Sequence, residues 1–405
     1  MIGKDMLETS NSNLGVVQRT KQKFRRNLER VENHGVNCIP SPFKFFRNEF
    51  PGVEQKKYYL VSGAAKSAKT QLTSLLFLYT PLLYAYYNPD KVRIKIFYFN
   101  LEESDERITA RFMSYLLYTM ANPCIRKSPM DLESIIEGKP ITHDILDVLD
   151  TTEFNNILDF YQSHVEWGTS RNPTGCWRQV SDYAKKHGTI YEKYDKIKDK
   201  MVPDYYVPND KEEYVIIIWD HAGLTRQERD KESKQLLSLK ESIDKLSSYF
   251  VDFRDFYHYT PVLIQQQNAD TISLEAYRYK KIMPTLAGLA DTKNTGKDCN
   301  LLLGITNPHA FEIGDYRGYN TQKLGGWCRF VEAVMNRDGE SNGYLPLYFD
   351  GAVNYFEALP KFGDERKLEE IYRRIAHNTA PDAEVNTNND DNDVLSFGEP
   401  FSESK

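Results

Sequence analysis

The segment Gly63-Ala64-Ala65-Lys66-Ser67-Ala68-Lys69-Thr70 matches the phosphate-binding pattern GxxxxGK[ST] at every defined position except Ala68, where the second glycine would stand. In such a loop, backbone N–H groups at the start of a helix point at phosphate oxygens. Lys69 would reach the β- and γ-phosphates, and Thr70 would ligate Mg²⁺. A methyl group at 68 can crowd the loop or demand a different backbone conformation, since the glycine it replaces is the permissive residue. Taken alone, the segment competes with an ordinary small-residue turn. Two carboxylates and an amide add to the phosphate reading. Asp220 ends the apolar run 214–219 (YVIIIW), where an aspartate can hold a metal-bound water; an aspartate capping the next loop is the plainer alternative. Glu102 follows the run 93–100 (RIKIFYFN), where a carboxylate can take a proton from attacking water, while Glu103 fits a first-turn acid of the next helix. Gln267 stands just past the run 261–265, where a neutral amide can report a γ-phosphate. With Gln265, Gln266 and Gln267 in a row, a merely polar strand end is the alternative for each.

These residues need a scaffold that brings strand ends together. Residues 58–62 read as a short strand leading into the glycine-containing turn, and an apolar helix starts near Lys69. Residues 93–100 form a second strand, followed by a helix from Ser104 with Ile108, Phe112, Tyr115 and Leu116 on one side. The run 214–219 has the continuous apolar character of a parallel strand buried on both faces. A helix with Leu236, Leu239, Ile243 and Leu246 follows, then strands at 261–265, 300–305 and 330–335 and a hairpin-like pair over 343–355. Alternating strands and helices with late hairpin strands predict an α/β domain with a mainly parallel central sheet. Residues 121–211 are polar and helix-biased and read as a helical insertion. Ahead of the domain, Leu14, Val17, Phe24, Leu28 and Val31 draw one stripe along an amphipathic helix that ends near Gly35. It packs on its own domain, on a neighbouring subunit or on nucleic acid.

With 405 residues, 40% hydrophobic and 27% charged, the chain is expected to be a globular protein with room for a core. Thr73, Ser74, Thr80 and Pro81 interrupt its best apolar stretch, so no membrane span is expected, and the start has no apolar signal region. Five scattered cysteines without a CxxC pair fit a reducing compartment better than a zinc site or a disulfide frame. The net charge of -6 belongs to residues 381–405, which hold seven acids and one base, so the body is formally neutral. Residues 366–405 are expected to be an acidic, disordered tail.

Taken together, the phosphate loop, IFYFNLEES, VIIIWDHAGLT, PVLIQQQN and VMNRDG stand in the order of the C-terminal motor domain of DnaB-type hexameric replicative helicases, particularly the phage versions. The resemblance spans roughly residues 40 to 360. It implies a RecA-like P-loop NTPase fold, a mainly parallel central sheet with helices on both faces and late antiparallel strands. It further implies ATP and Mg²⁺ as cofactors and residues 46–365 as the ATPase domain, after an N-terminal helix and connector over residues 1–45. By that resemblance Glu102 is the catalytic base, Asp220 the metal-supporting aspartate and Gln267 the sensor. Arg337 is the finger that reaches the next subunit's ATP, although Met335 replaces the family's lysine two residues earlier. Loops after Asp220 and after the sensor would line a channel for single-stranded DNA, with Arg226, Arg229, Lys231 and Lys234 in one and Arg278, Lys280, Lys281, Lys293 and Lys297 in the other. By the resemblance, no counterpart of the family's primase-binding N-terminal half is expected in this sequence, and the amphipathic helix resembles the linker helix that grips an adjacent protomer. The resemblance thus implies a ring, expected to be a hexamer, in the cytoplasm, or the host's cytoplasm for a viral protein, with a primase or loader as a further partner. Two other readings stand beside it: a recombinase or mediator ATPase that forms filaments, and a nucleotide-binding loader or scaffold with weak hydrolysis.

Overall fold

The apolar runs that alternate with helical periods line up as one sheet. The structure, a computed structural model, describes residues 15–33, 35–135, 140–230, 232–268, 279, 281–341 and 343–379. Leu14, Lys231, Arg278, Lys280 and the tail beyond 379 lie outside the described residues.

After helix α1 (Val16–Glu32) and a small ladder of β1 (Ile39–Pro40) with β2 (Gly52–Val53), strand β3 (Tyr59–Gly63) enters the centre of the sheet. The described nine-stranded sheet runs β15-β14-β13-β10-β3-β9-β8-β4-β5. Its parallel strands are β4 (Arg93–Asn100), β5 (Val165–Trp167), β8 (Glu213–Asp220), β9 (Thr260–Gln266) and β10 (Leu301–Thr306) together with β3. Beyond a short ladder of β11 (Asp315–Tyr316) with β12 (Tyr319–Asn320), strands β13 (Cys328–Asn336), β14 (Tyr344–Asp350) and β15 (Tyr355–Ala358) close one side in antiparallel order. The parallel strands are buried on both faces, which is why their sequences run apolar without alternating. Helices cover both faces, as expected. On one lie α2 (Lys69–Ser74), α3 (Thr80–Tyr87), α4 (Asp105–Met120) and α7 (Thr152–His164); on the other, α8 (Pro173–Lys186) and α9 (Leu239–Asp255). A π-helical stretch over residues 75–79 joins α2 to α3 just before Pro81, which has no N–H to give the helix. The joined helix is buried almost all round, so the apolar run 72–85 belongs to the core, with Tyr87 exposed at its end. No helix among the described residues is long and apolar enough to cross a membrane.

The structure corrects two expectations. The insertion is not helical throughout: between α5 (Pro129–Leu132), α6 (His143–Leu149), α7 and α8 it contributes β5 to the sheet edge, and it ends in a projecting hairpin of β6 (Gly188–Asp195) and β7 (Lys200–Pro208). Both faces of that ribbon are largely exposed, so its residues show no apolar period. Part of the expected tail is also ordered. The last described helix, here α12, spans Glu365–Thr379 and seats Leu368, Ile371 and Ile375 in the core; it follows the short α10 (Asn294–Asp298) and α11 (Thr321–Leu324). By contrast, α1 buries none of its residues. Val17, Phe24, Leu28 and Val31 are each more than half exposed, and Arg30 ties the helix to Glu212.

Candidate active site

Strand β3 delivers the loop to the edge where the parallel strands end. Gly63 has no room for a side chain: a Cβ there would lie 2.4 Å from Ser67 Oγ and 2.5 Å from the Ile305 carbonyl. Ala68 takes the left-handed conformation, φ 76° and ψ 33°, immediately before α2. That geometry explains the family's glycine at this position, and an alanine bears a cost of about 1–2 kcal/mol to hold it. Lys66 is left-handed as well. The ammonium of Lys69 folds back onto the Ala64 carbonyl at 2.8 Å. Burial lowers its pKa, while Asp220 and Glu102 raise it, so both carboxylates act on the same ammonium. Ser67 Oγ is buried with no hydrogen-bond partner. Strand end, left-handed turn, helix start, free hydroxyl and lysine together fit a phosphate group in the loop.

On the neighbouring strand end, Asp220 is 4% exposed and accepts hydrogen bonds from Thr70 Oγ1 (3.3 Å) and Tyr98 Oη (3.2 Å). Burial pushes its carboxyl up to about 7, more than these hydrogen bonds pull it down. A carboxylate and a hydroxyl meeting beside the loop are the donor set a Mg²⁺ ion accepts. Glu102 lies just beyond β4 with its side chain 57% exposed, and its Oε2 is 3.9 Å from His221 Nε2. Glu103 instead pairs with Arg111, as a structural acid.

Gln267 does not join this group. Its amide donates to Ser62 Oγ (2.8 Å) and the Thr285 carbonyl (3.2 Å), and its Oε1 accepts from the Thr285 N–H (3.1 Å). Gln265 is fully buried and held by the Ala290 and Thr292 carbonyls and by Thr295. Side chains alternate along β9. Val262 packs with Val61 and Ile218 on the α2 face, whereas Leu263 packs with Leu60 and Trp219 on the other. Gln266 therefore shares the face of Asp220, is only partly buried and has Gly63 as its cross-strand partner. The two glutamines thus lie on opposite faces of β9, Gln266 on the side of Asp220 and the expected sensor Gln267 on the other.

Arg337 also lies elsewhere. It follows Asn336, which pairs with Leu301 at the start of β10, so it sits at the sheet edge opposite the loop and donates to the Lys297 carbonyl. It cannot reach the loop of its own chain. Arg226, Arg229, Lys281 and Lys293 are exposed on segments that leave the loop edge after β8 and β9, and the Lys281 ammonium lies over the Tyr279 ring.

No protein-family model matches the chain, and no curated protein matches its sequence. Solved structures share its fold. The ATPase domain of G40P superposes with a TM-score of 0.56 at 11% identity, covering 86% of this chain and 100% of that one. A DnaB-like replicative helicase, from a structure titled for its interactions with primase, superposes at 0.55 and 10% identity, covering 83% of this chain and 65% of that one. The chain therefore has the RecA-like α/β fold of DnaB-type ATPase domains.

Proposed function

We propose that this chain is an ATP-driven DNA helicase of the DnaB type, a ring that moves along single-stranded DNA in replication. One observation carries the reading: a phosphate-loop geometry, the Thr70–Asp220 contact and Glu102 converge at one edge of a sheet whose fold is that of helicase ATPase domains. Lys69 exchanges the Ala64 carbonyl for phosphate oxygens, and loop N–H groups from Gly63 to Thr70 cradle the rest. Thr70 and Asp220 would hold Mg²⁺, which when bound supplies neutralisation of the phosphate charge. Glu102, half in solvent, accepts a proton from the attacking water, and the nearby His221 orients its carboxylate. Gln266 is the better-placed sensor. Gln267, on the opposite face, holds Ser62 on the loop strand.

Assembly follows from what a single chain leaves unused. Arg337 serves the neighbour's site across a head-to-tail contact, and the exposed stripe of α1 supplies the grip. Arg226, Arg229, Lys281 and Lys293, with Arg278 and Lys280, contact DNA phosphates without sequence preference. A primase or loader would dock on this ring in a cytoplasmic setting, that of a host cell for a phage protein. Phosphate release with and without single-stranded DNA, measured on wild type and K69A together with particle mass, tests the proposal. Hydrolysis stimulated by DNA, abolished in K69A and accompanied by a closed oligomer is expected. Nucleotide binding without stimulated turnover would favour a loader or scaffold, and open filaments in electron micrographs a recombinase or mediator.

A further inference from the structure

Arg329 is a buried charge that the site described above does not use. It lies at the start of β13, 6% exposed, beside the loop. Its Nε donates to the Ser67 carbonyl at 3.0 Å, and its Nη1 donates to the carbonyls of Gly326 (2.8 Å) and Cys328 (2.7 Å). The guanidinium lies 4.5 Å from the Phe349 ring centre. No carboxylate pairs with it among the described residues. Other partly buried arginines are matched, Arg126 by Asp350 and Arg374 by Glu357. Burial pulls the Arg329 guanidinium down to about 10. Keeping a cation out of water without a carboxylate is costly, and three backbone carbonyls and one ring only partly offset it.

The partner of Nε supplies a reason. The Ser67 carbonyl and the Ala68 N–H belong to one planar trans peptide and point in opposite directions. Drawing that carbonyl toward Arg329 turns the Ala68 N–H to the other side, away from the guanidinium. The same peptide leads into the one loop position where alanine, at φ 76°, replaces the residue that takes this conformation freely. We propose that Arg329 is a positioning residue of the phosphate loop, pinning the 67–68 peptide in the geometry glycine would otherwise supply, with phosphate in the loop as its missing counter-charge. The inference rests on the phosphate-binding reading of residues 63–70.

Calorimetric titration of MgADP into the full chain tests it, alongside thermal unfolding without nucleotide. R329M keeps the bulk and removes the charge and the fork. It should stay folded but unfold at a somewhat lower temperature, because the Ser67, Gly326 and Cys328 carbonyls lose their donor, and bind MgADP roughly 10- to 100-fold more weakly, the usual loss for a hydrogen bond from a charged group. Adding A68G to R329M should restore most of that affinity, because glycine holds the turn without a clamp; a purely structural arginine would give no such rescue. Wild-type affinity in R329M, with binding lost in K69A, overturns the proposal and leaves the phosphate loop standing. A loss that A68G does not restore overturns the pinning role. No binding by the wild type sinks the underlying reading instead. If R329M does not fold, R329K replaces it: weakened binding rescued by A68G supports the clamp, and wild-type affinity overturns it.

Discussion

Asp220 meets two opposed demands, ionised for a metal and buried for the fold. Burial dominates and holds the carboxyl up to about 7, against roughly 3.9 in an unfolded chain. The folded state therefore keeps a proton that the unfolded state gives up. Stability from this residue is lost as pH rises from the unfolded value through the folded one, by about 1.4 kcal/mol for each unit between them. Asp220→Asn removes the titration and leaves the site's shape. Denaturant unfolding without nucleotide should show the asparagine variant gaining on wild type between pH 5 and pH 8; a flat difference would mean that Asp220 stays ionised when buried. Much of the site was legible residue by residue: the loop, Asp220 and Glu102 all follow from strand ends and residue type. Which glutamine faces Asp220 was not. β9 is buried on both faces and lacks alternation, so three consecutive glutamines gave no register, and a one-residue slip exchanges the faces. Arg329 carried no signal in the sequence, because its proposed role depends on a contact 262 residues away.

Among the elements, legibility followed burial. Strands packed on both faces announced themselves as apolar runs, and α12 was concealed only by its acidic neighbourhood, since Leu368, Ile371 and Ile375 keep helical spacing. The β6–β7 ribbon left no trace because little of it meets the core. Ile190 and Tyr206, which face each other across the strands, touch it, while Tyr191 and Tyr205 stack on one another in solvent and Ile197 at the tip is 96% exposed. Residues 191–205 therefore contribute little to stability. Replacing them with an Asn-Gly turn, which suits a two-residue hairpin, should change unfolding free energy by less than about 1 kcal/mol and leave MgADP affinity unchanged. A large loss of stability in denaturant titration would show that the ribbon braces α8 or β8 more than its contacts indicate.

At the scale of the whole molecule, the sheet separates two halves of one proposed active site. Gly63 ends β3 at one edge. Arg337 lies beyond the start of β10 at the other, near the Lys57–Asp338 pair, and a strand's length of roughly 15 Å divides them. A finger so placed works only if a second copy presents its loop edge to this chain's opposite edge, which is a heterologous contact and generates a ring when it closes. The exposed apolar stripe on α1 fits the same contact. If hydrolysis needs a loop from one subunit and Arg337 from the next, K69A and R337A are defective in different halves of a shared site. Each variant alone should release phosphate slower by about 10³-fold or more, the scale of an arginine finger. Mixed in equal amounts and allowed to reassemble, they form some junctions that pair an intact loop with an intact finger. Activity should then return to a fraction of wild type that rises with subunit exchange and vanishes on dilution below assembly. Inactivity at every mixing ratio, with oligomers intact, would place Arg337 outside the reaction and remove the structural reason for requiring a ring.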